Sequence, residues 1–246
     1  MQPVPLSAIP AAAFGRGAIA ALPLQLATLP FGLIFGAIAV QAGLDLVQTM
    51  AMTVIVVAGA AQLAAIAQMT EHAPALLAIL VGAVVNARLA MYSASIAPAW
   101  PGASLGTRAL AAFLLHDHAY AMAMRRHADR PAEGTADRIG FFLGVGIITV
   151  VVWVGGALAG ALIGGRLPPE WGLEFAAPVS FIALFAPLLR DPAHLAAAMT
   201  AALGALLLAP LPLGLGLMAG AAAGVAVGAT VEAAVARWRG RRGGEA

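Results

Sequence analysis

Long apolar runs separated by short polar stretches dominate the chain. A bilayer core about 30 Å thick takes roughly 20 helical residues. Measured against that length, the runs predict spans at 18–41, 46–69, 74–96, 107–124, 139–164, 175–189, 193–209 and 213–236. The fourth is interrupted by polar residues, and the sixth and seventh are short. The pattern predicts an all-α, polytopic integral membrane bundle of about seven to eight transmembrane segments, some short or broken by proline.

Composition excludes the other broad classes. Apolar residues make up 62% and charged residues 10% of the 246 residues, whereas soluble domains are about 45–50% apolar and about 25% charged. Disordered chains are polar and charged. We therefore expect residues 1–246 to form a single membrane domain. Within it, residues 1–17 are expected to be an irregular arm and residues 237–246 an Arg-rich cytoplasmic tail.

Residue chemistry does not predict an enzyme. The chain contains no cysteine, which excludes disulfides and thiolate nucleophiles. No nucleophile elbow or phosphate-binding glycine loop is found. A metal site is not expected either, because His116 and His118 are two residues apart and face different ways on a helix. We expect no cofactor and no nucleic-acid partner, since membrane topology explains the arginines better.

Arginine placement predicts the orientation, because cytoplasmic loops are enriched in arginine. With eight spans and the N-terminus inside, Arg108 and Arg166 fall outside and Arg88 lies within a span. The other ten of the 13 basic residues fall inside. Both termini are therefore predicted to be cytoplasmic, in a multi-pass protein.

Two ionisable groups inside spans are functional candidates, since such groups are costly in a bilayer. Arg88 lies about 12 Å and Asp117 about 15 Å from the outer ends of their spans. A short loop joins these spans, so an Arg88–Asp117 ion pair is geometrically possible. It would be either a structural clamp or the border of a translocation route. Asn86 lies at similar depth but points nearly opposite to Arg88.

Other polar residues in the spans allow two interpretations each. His116 and His118 form a proton-responsive cluster with Asp117, or each hydrogen-bonds a neighbouring carbonyl. Gln62 is either an interhelical hydrogen-bonding residue or a substrate contact.

The first span contains the string PFGLIFG, with Pro30, Gly32 and Gly36. Its proline either unwinds the helix, which would offer backbone groups to a substrate, or only kinks it.

Glycines at four-residue spacing form two strips of small residues. Such strips let another backbone approach closely in a membrane. They pack helices within the chain, or they form a docking face for a separate subunit. The strips consist of Gly156, Gly160 and Gly164, and of Gly216, Gly220, Gly224 and Gly228.

The order and spacing of several strings resemble the AzlC family over roughly residues 14–230. They are PFGLIFGAIAVQAGL, VVAGAAQLAAIA, VVNARLAMYSASIAP, LLHDHAYAMA and EFAAPVSFIALFAPLLRD. The most specific are AGAAQ, ending at Gln62, and NxRxxxY, from Asn86 to Tyr92. The resemblance implies a bacterial cytoplasmic-membrane protein that exports hydrophobic amino acids such as Val, Leu, Ile or Met. It also implies a small membrane partner of the AzlD type.

The chain departs from the family pattern at two places. Leu89 stands where a histidine is expected, and His116-Asp117-His118 replaces Thr-Asp-Glu. These departures leave substrate and coupling ion open. A carrier or channel for another solute and a non-transporting scaffold are the alternatives.

A zwitterionic substrate needs donors for its carboxylate and an acceptor for its amine. Half-helix N-termini near Pro30 or Pro178 would supply the donors. Asp117, Asn86 or free carbonyls would supply the acceptor. The mechanism expected from these groups is alternating access, with proton exchange through Asp117 as a hypothesis.

Overall fold

A computed structural model of the chain describes residues 3–70, 73–164, 189, 191–211 and 215–243. Side chains are described throughout these ranges except at 215, 217 and 239–243. The chain divides into two compact units, Met1–Ala67 with Gly82–Ala177 and Gln68–Val81 with Pro178–Ala246. The single domain expected for residues 1–246 stays a prediction.

The regular elements of the described residues are all helices, with one isolated bridge between Val4 and Ala103. This confirms the all-α prediction. The helices are α1 Ala11–Ala21, α2 Gln25–Gln41, α3 Leu46–Ile55, α4 Gly59–Thr70, α5 Ala75–Ile96, α6 Leu105–Phe113, α7 Asp117–Asp129, α8 Thr135–Gly164, α9 Pro192–Leu207 and α10 Leu215–Gly243. Three short 3-10 turns lie at Leu6–Ala8, Leu22–Leu24 and Ala97–Ala99.

Four helical segments of the described residues are long and apolar enough to cross a membrane. They are Ala11–Gln41, Ala75–Ala99, Thr135–Gly164 and Met218–Trp238. The predicted span 175–189 lies outside the described residues, apart from Leu189.

One predicted boundary is corrected. Helix α1 begins at Ala11, so residues 11–17 of the predicted irregular arm 1–17 are helical. Packing of residues 13–18 against α8 explains the early start. At the other end α10 continues to Gly243, so most of the predicted tail 237–246 is helical.

Helices α1 and α2 run parallel to α8 in close contact. A Cβ built on Gly144 would meet the Ala18 nitrogen at 2.8 Å, and one on Gly160 would meet the Leu33 carbonyl carbon at 2.8 Å. Gly164 faces Ala37 in the same way. Small residues thus allow backbone contact between the two segments along most of their lengths.

Both predicted glycine strips lie in internal helix contacts, which corrects the docking-face interpretation. Gly156, Gly160 and Gly164 face α2. Gly216, Gly220, Gly224 and Gly228 face α9 within the second unit, at Leu208, Ala205, Ala201 and Ala197. These surfaces are covered by the chain's own helices and are not free for a separate subunit.

One end of the first unit, here named the arginine end, brings three helix ends together. Arg16 near the start of α1 donates to Asp137 near the start of α8 at 2.9 Å. Arg138 donates to the carbonyl of Ala99 at 3.2 Å, just beyond the C-terminal end of α5. Helix α5 therefore runs towards the arginine end, whereas α2 and α8 run away from it.

The predicted span 107–124 is instead a hairpin of α6 and α7 that begins and ends at the arginine end. Val4 donates to the carbonyl of Gly102 at 2.7 Å, which anchors the start of α6 beside the N-terminal arm. Helix α7 runs parallel to α5, since Asp117 contacts Arg88 and Tyr120 stacks on Tyr92. The chain therefore turns back at residues 114–116.

The predicted span 46–69 is a second hairpin, formed by α3 and α4 from the opposite end. Helix α3 begins where α2 ends, away from the arginine end. Residues 56–58 separate α3 from α4. This break lies beside the central third of α8, where Gly59 packs against Trp153. A Cβ on Gly82 of α5 would lie 3.7 Å from the Ala61 carbonyl oxygen, and a short connection joins the end of α4 to the start of α5. The end of α4 therefore lies away from the arginine end.

This arrangement corrects one arginine placement. Arg108 follows the start of α6 and lies at the arginine end, together with Arg16, Arg126 and Arg138, instead of on the opposite side.

The hairpins can be tested by cysteine labelling, because the chain has no cysteine of its own. Leu105→Cys and Ala132→Cys should be labelled from the same side of the membrane by an impermeant maleimide. Val47→Cys and Ala75→Cys should be labelled from the other side. Eight full spans would instead put positions 105 and 132 on opposite sides, a result that would overturn the α6–α7 hairpin.

The glycine contacts predict a position-dependent effect within α8. Gly160→Ala forces its Cβ into the Leu33 carbonyl and should lower the free energy of unfolding by about 1–3 kcal/mol, the usual cost of overpacking. Gly155→Ala is the matched control, because a Cβ there meets nothing within 4 Å. Thermal unfolding of the purified variants measures the difference, and equal melting temperatures would contradict the contact.

Candidate functional site

Asp117 begins α7 and binds two side chains of α5. Its Oδ2 lies 3.0 Å from Arg88 Nη2, and its Oδ1 accepts from the Tyr92 hydroxyl at 3.0 Å. This confirms the ion pair predicted from depth. The N-terminus of α7 adds a favourable field for the carboxylate. Arg88 and Tyr92, four residues apart on α5, thus share one anion.

Aromatic and hydroxyl groups continue the site towards the arginine end. Tyr92 stacks on Tyr120 with ring centroids 4.2 Å apart and an interplanar angle of 9°. The Tyr120 hydroxyl is 2.9 Å from Ser95 Oγ. Asp117 keeps 42% of its side chain exposed and Arg88 21%, so the ion pair is not enclosed by the described residues.

The histidines beside Asp117 have separate surroundings. His116 Nδ1 is 2.8 Å from the Leu114 carbonyl, in agreement with the carbonyl interpretation. Its Nε2 is buried without a partner among the described residues. The His118 ring packs edge-on against the His116 ring, at 6.1 Å between centroids. Proton exchange through this cluster stays a prediction.

Asn86 lies one turn or less from this site on α5. Its Oδ1 is buried and has no partner among the described residues, and the same holds for Arg88 Nε. Helix α5 thus carries one unused acceptor and one unused donor at this depth, on nearly opposite sides of the helix.

Gln62 connects the two halves of the α3–α4 hairpin. Its side chain is fully buried, and its Nε2 donates to the Met52 carbonyl at 2.8 Å. The interhelical hydrogen-bond interpretation of Gln62 is therefore correct for its amide nitrogen. Its Oε1 has no partner among the described residues.

Of the two interpretations of Pro30, the unwound stretch is wrong. Pro30 lies inside the continuous helix α2. Gly32 and Gly36 pack closely against Gly156 and Ala157 of α8, and this packing holds the helix together. The helix breaks occur instead at residues 56–58 and 114–116. Pro178 lies outside the described residues.

Both breaks contact the same stripe of α8. Leu114 packs on Gly146, and Gly59 packs on Trp153. Seven residues separate Gly146 from Trp153, which is about 10 Å along the axis and within about 20° in direction. The starts of α4 and α7 thus approach one region in the middle of α8.

Between these contacts lies a pair of polar residues that the sequence analysis missed. Gln25 Nε2 donates to Thr149 Oγ1 at 3.2 Å, and Gln25 Oε1 has no partner among the described residues. A lone glutamine in a long apolar run was the available signal for Gln25. Nothing in the sequence distinguishes Trp153 from an ordinary apolar helix residue.

Glu133 organises the charges of the arginine end. It accepts from Arg126 Nε at 2.8 Å and Nη2 at 2.5 Å, and Arg16 lies 3.9 Å away. The hydrogen bonds from Arg126 lower the pKa of Glu133 below its usual value, with the charges of Arg126, Arg16 and Arg130 adding to the effect and burial opposing it.

Glu133→Gln should therefore reduce the stability of the fold at neutral pH. Because the folded-state pKa of Glu133 is lowered, its stabilisation is complete above the unfolded-state pKa and is lost as pH falls through the lowered value. The unfolding free energy of the wild-type protein should fall more steeply on acidification than that of the variant. Denaturant titrations across pH 3–7 measure both curves.

Asp129→Asn serves as the control for Glu133→Gln. Its carboxylate pairs with Arg125 at 3.8 Å on the surface, where ion pairs contribute little. If both variants gave the same curves as the wild-type protein, the Glu133 contacts would not stabilise the arginine end.

The chain is similar to known proteins over the region that contains the helix breaks at residues 56–58 and 114–116. A family model described as AzlC protein matches residues 23–167, a range that contains both helix breaks. An uncharacterized membrane protein of Helicobacter pylori (strain ATCC 700392 / 26695) is 28% identical over 165 residues, 67% of this chain and 70% of the relative. An uncharacterized membrane protein of Archaeoglobus fulgidus is 30% identical over 179 residues, 72% of this chain and 75% of the relative. No solved structure matches the chain.

Proposed function

Because the chain belongs to the AzlC family of membrane transport proteins, we propose that it exports branched-chain or other hydrophobic amino acids such as Val, Leu, Ile and Met. In this proposal it is the large subunit of a two-component exporter. Its partner is a small membrane subunit of the AzlD type.

The observation that carries the proposal is the Arg88–Asp117 ion pair at a helix break. Irregular backbone at membrane depth is tolerated where it lines a cavity or is buried in protein. Secondary transporters place their substrate sites at such broken helices near the bilayer midplane. The Arg88–Asp117 pair places one cation and one anion at such a break, as expected at the border of a translocation route.

In this proposal the protein lies in the bacterial cytoplasmic membrane, and the arginines support an orientation with the arginine end inside. The described arginines of the first unit, apart from Arg88, belong to segments that meet this end: Arg16, Arg108, Arg125, Arg126, Arg130 and Arg138. By the positive-inside rule this end, with the N-terminus, is proposed to face the cytoplasm. The same rule applied to the Arg-rich end of α10 proposes a cytoplasmic C-terminus.

Export can be tested by efflux from cells that lack their own exporters and are loaded with valine-containing dipeptides. Cells with this protein and its small partner should release free valine faster than cells without them. Asp117→Asn should reduce this release at least tenfold, because it leaves Arg88 without its counter-ion. Asp129→Asn should leave release unchanged.

The double variant Arg88→Gln/Asp117→Asn separates a structural clamp from a translocation route. A neutral pair that restores efflux would mean that the charges only hold α5 and α7 together. A double variant as inactive as Asp117→Asn would support the route. If valine release did not depend on the protein with both subunits in the membrane, amino acid export would be excluded.

Proton coupling is the remaining part of the proposal. If Asp117 carries the coupled proton, efflux by the wild-type protein should depend on the external pH. Residual efflux by Asp117→Asn should not. An unchanged pH dependence in the variant would remove this cluster from the mechanism.

A further inference from the structure

The start of α4 is buried and has no side-chain cap. Ala58, Ala60 and Ala61 are at most 8% exposed. The first N–H groups of an α-helix have no acceptor within the helix, and the residues before α4, at 56–58, carry no side-chain acceptor. A buried helix start of this kind needs an acceptor from elsewhere.

Three other described helices meet this need with a side chain. Helices α3, α6 and α9 begin with side-chain acceptors at Asp45, Ser104 and Asp191. Helices α1, α2 and α7 begin without one, and α4 combines a buried start with unpaired polar atoms of Trp153 and Gln62.

Trp153 supplies an unused donor at the same place. Its side chain is buried, and its Nε1 has no partner among the described residues. A Cβ on Gly59 would lie 2.6 Å from Trp153 Cη2 and 3.1 Å from Cζ2. Nε1 and Cζ2 are bonded to the same ring carbon, so the indole N–H lies beside the ring edge that faces the start of α4.

Gln62 supplies an unused acceptor in the first turns of α4. Its amide nitrogen is held by the Met52 carbonyl, which fixes the side chain in place. Its Oε1 is buried and has no donor among the residues that the structure describes. The carbonyls at the C-terminal end of α3 lie on the other side of the break and add negative potential.

Aromatic rings line this break, and we name Phe31, Phe35 and Trp153 the aromatic wall. Phe31 and Phe35 lie 5.6 and 5.5 Å from Trp153 between ring centroids. Such a wall suits an aliphatic side chain.

From these contacts we infer that the break between α3 and α4 binds the zwitterionic head of an α-amino acid. The carboxylate accepts from the N–H groups of residues 59–61 and from Trp153 Nε1. The ammonium donates to Gln62 Oε1, and the aliphatic side chain packs on the aromatic wall. The inference rests on the proposed function for its substrate class.

The start of α7 is a poorer site for the carboxylate. Asp117 already places a negative charge in its first turn, and Arg88 is paired with that charge. The first turn of α4 carries no acidic residue. The two breaks therefore have different roles, with the substrate head at α4 and the charge pair at α7.

The test is equilibrium binding to the purified full-length protein in lipid nanodiscs. The probes are radiolabelled valine and valinamide, in which a neutral amide replaces the carboxylate. Trp153→Phe keeps an aromatic ring but removes the N–H. It should weaken valine binding roughly 10- to 100-fold, the effect of losing a hydrogen bond to a charged group, and valinamide binding less than about threefold.

Two further variants control for packing. Gly59→Ala pushes the indole aside and should give the same selective loss of valine binding. Trp100→Phe changes another buried tryptophan, which packs on Phe142, and should leave the binding of both probes unchanged. Equal weakening of valine and valinamide by Trp153→Phe, or no weakening, would overturn the carboxylate site.

The efflux assay separates this inference from the proposed function. If the protein exports valine but Trp153→Phe does not change valine binding, the proposed export function is retained and the binding site at α4 is overturned. Selective valine binding without export would keep the site and overturn the exporter. Absence of both valine binding and export would overturn both.

Discussion

The close parallel packing of α8 on α1 and α2 is the contact on which the rest of the first unit depends. Glycines on both sides let the backbones approach until a single added Cβ would collide with the opposite chain. The resulting pair is a fixed support for the remaining helices. Gly146 and Trp153 then place the two helix breaks at defined heights along that support.

The breaks concentrate polar groups where the surroundings are otherwise apolar. Gln25, Gln62, His116 and Trp153 each keep a buried polar atom unpaired among the described residues. Such atoms are costly in a finished apolar core. Functional sites are the usual place where a protein departs from complete hydrogen bonding. A substrate that carries both donors and acceptors would satisfy several of these atoms at once.

The rise per residue put Arg88 and Asp117 at similar depth, and the structure pairs them. The helix arrangement behind that prediction is wrong, however, because it treats the two spans as antiparallel neighbours. In the structure α5 and α7 run parallel and Asp117 stands at the start of α7. Membership of an all-helical membrane class also followed directly from composition. The glycine spacing correctly marked surfaces of close approach, although spacing by itself does not tell whether the neighbour belongs to the same chain.

The two hairpins could not be predicted from hydropathy, because the hydropathy of a segment does not show whether the chain crosses the membrane or turns back within it. Residues 46–70 contain as many apolar positions as one span would need, whether the chain crosses or turns back halfway. The turn at 56–58 contains only Val and Ala, so hydropathy does not mark it. Pro30 is the opposite case. Proline usually interrupts a helix, but packing against α8 keeps α2 continuous through Pro30.

The two hairpins have a consequence for the directionality of the molecule. Residues 11–70 form a crossing followed by a hairpin, and residues 75–129 repeat that plan. Helix α2 runs away from the arginine end and α5 runs towards it, so the second segment is inverted relative to the first. The two segments therefore present the same order of helices in opposite directions. Among the described residues of the first unit, the charged network of Arg16, Arg126 and Glu133 breaks this equivalence, because it lies at one end.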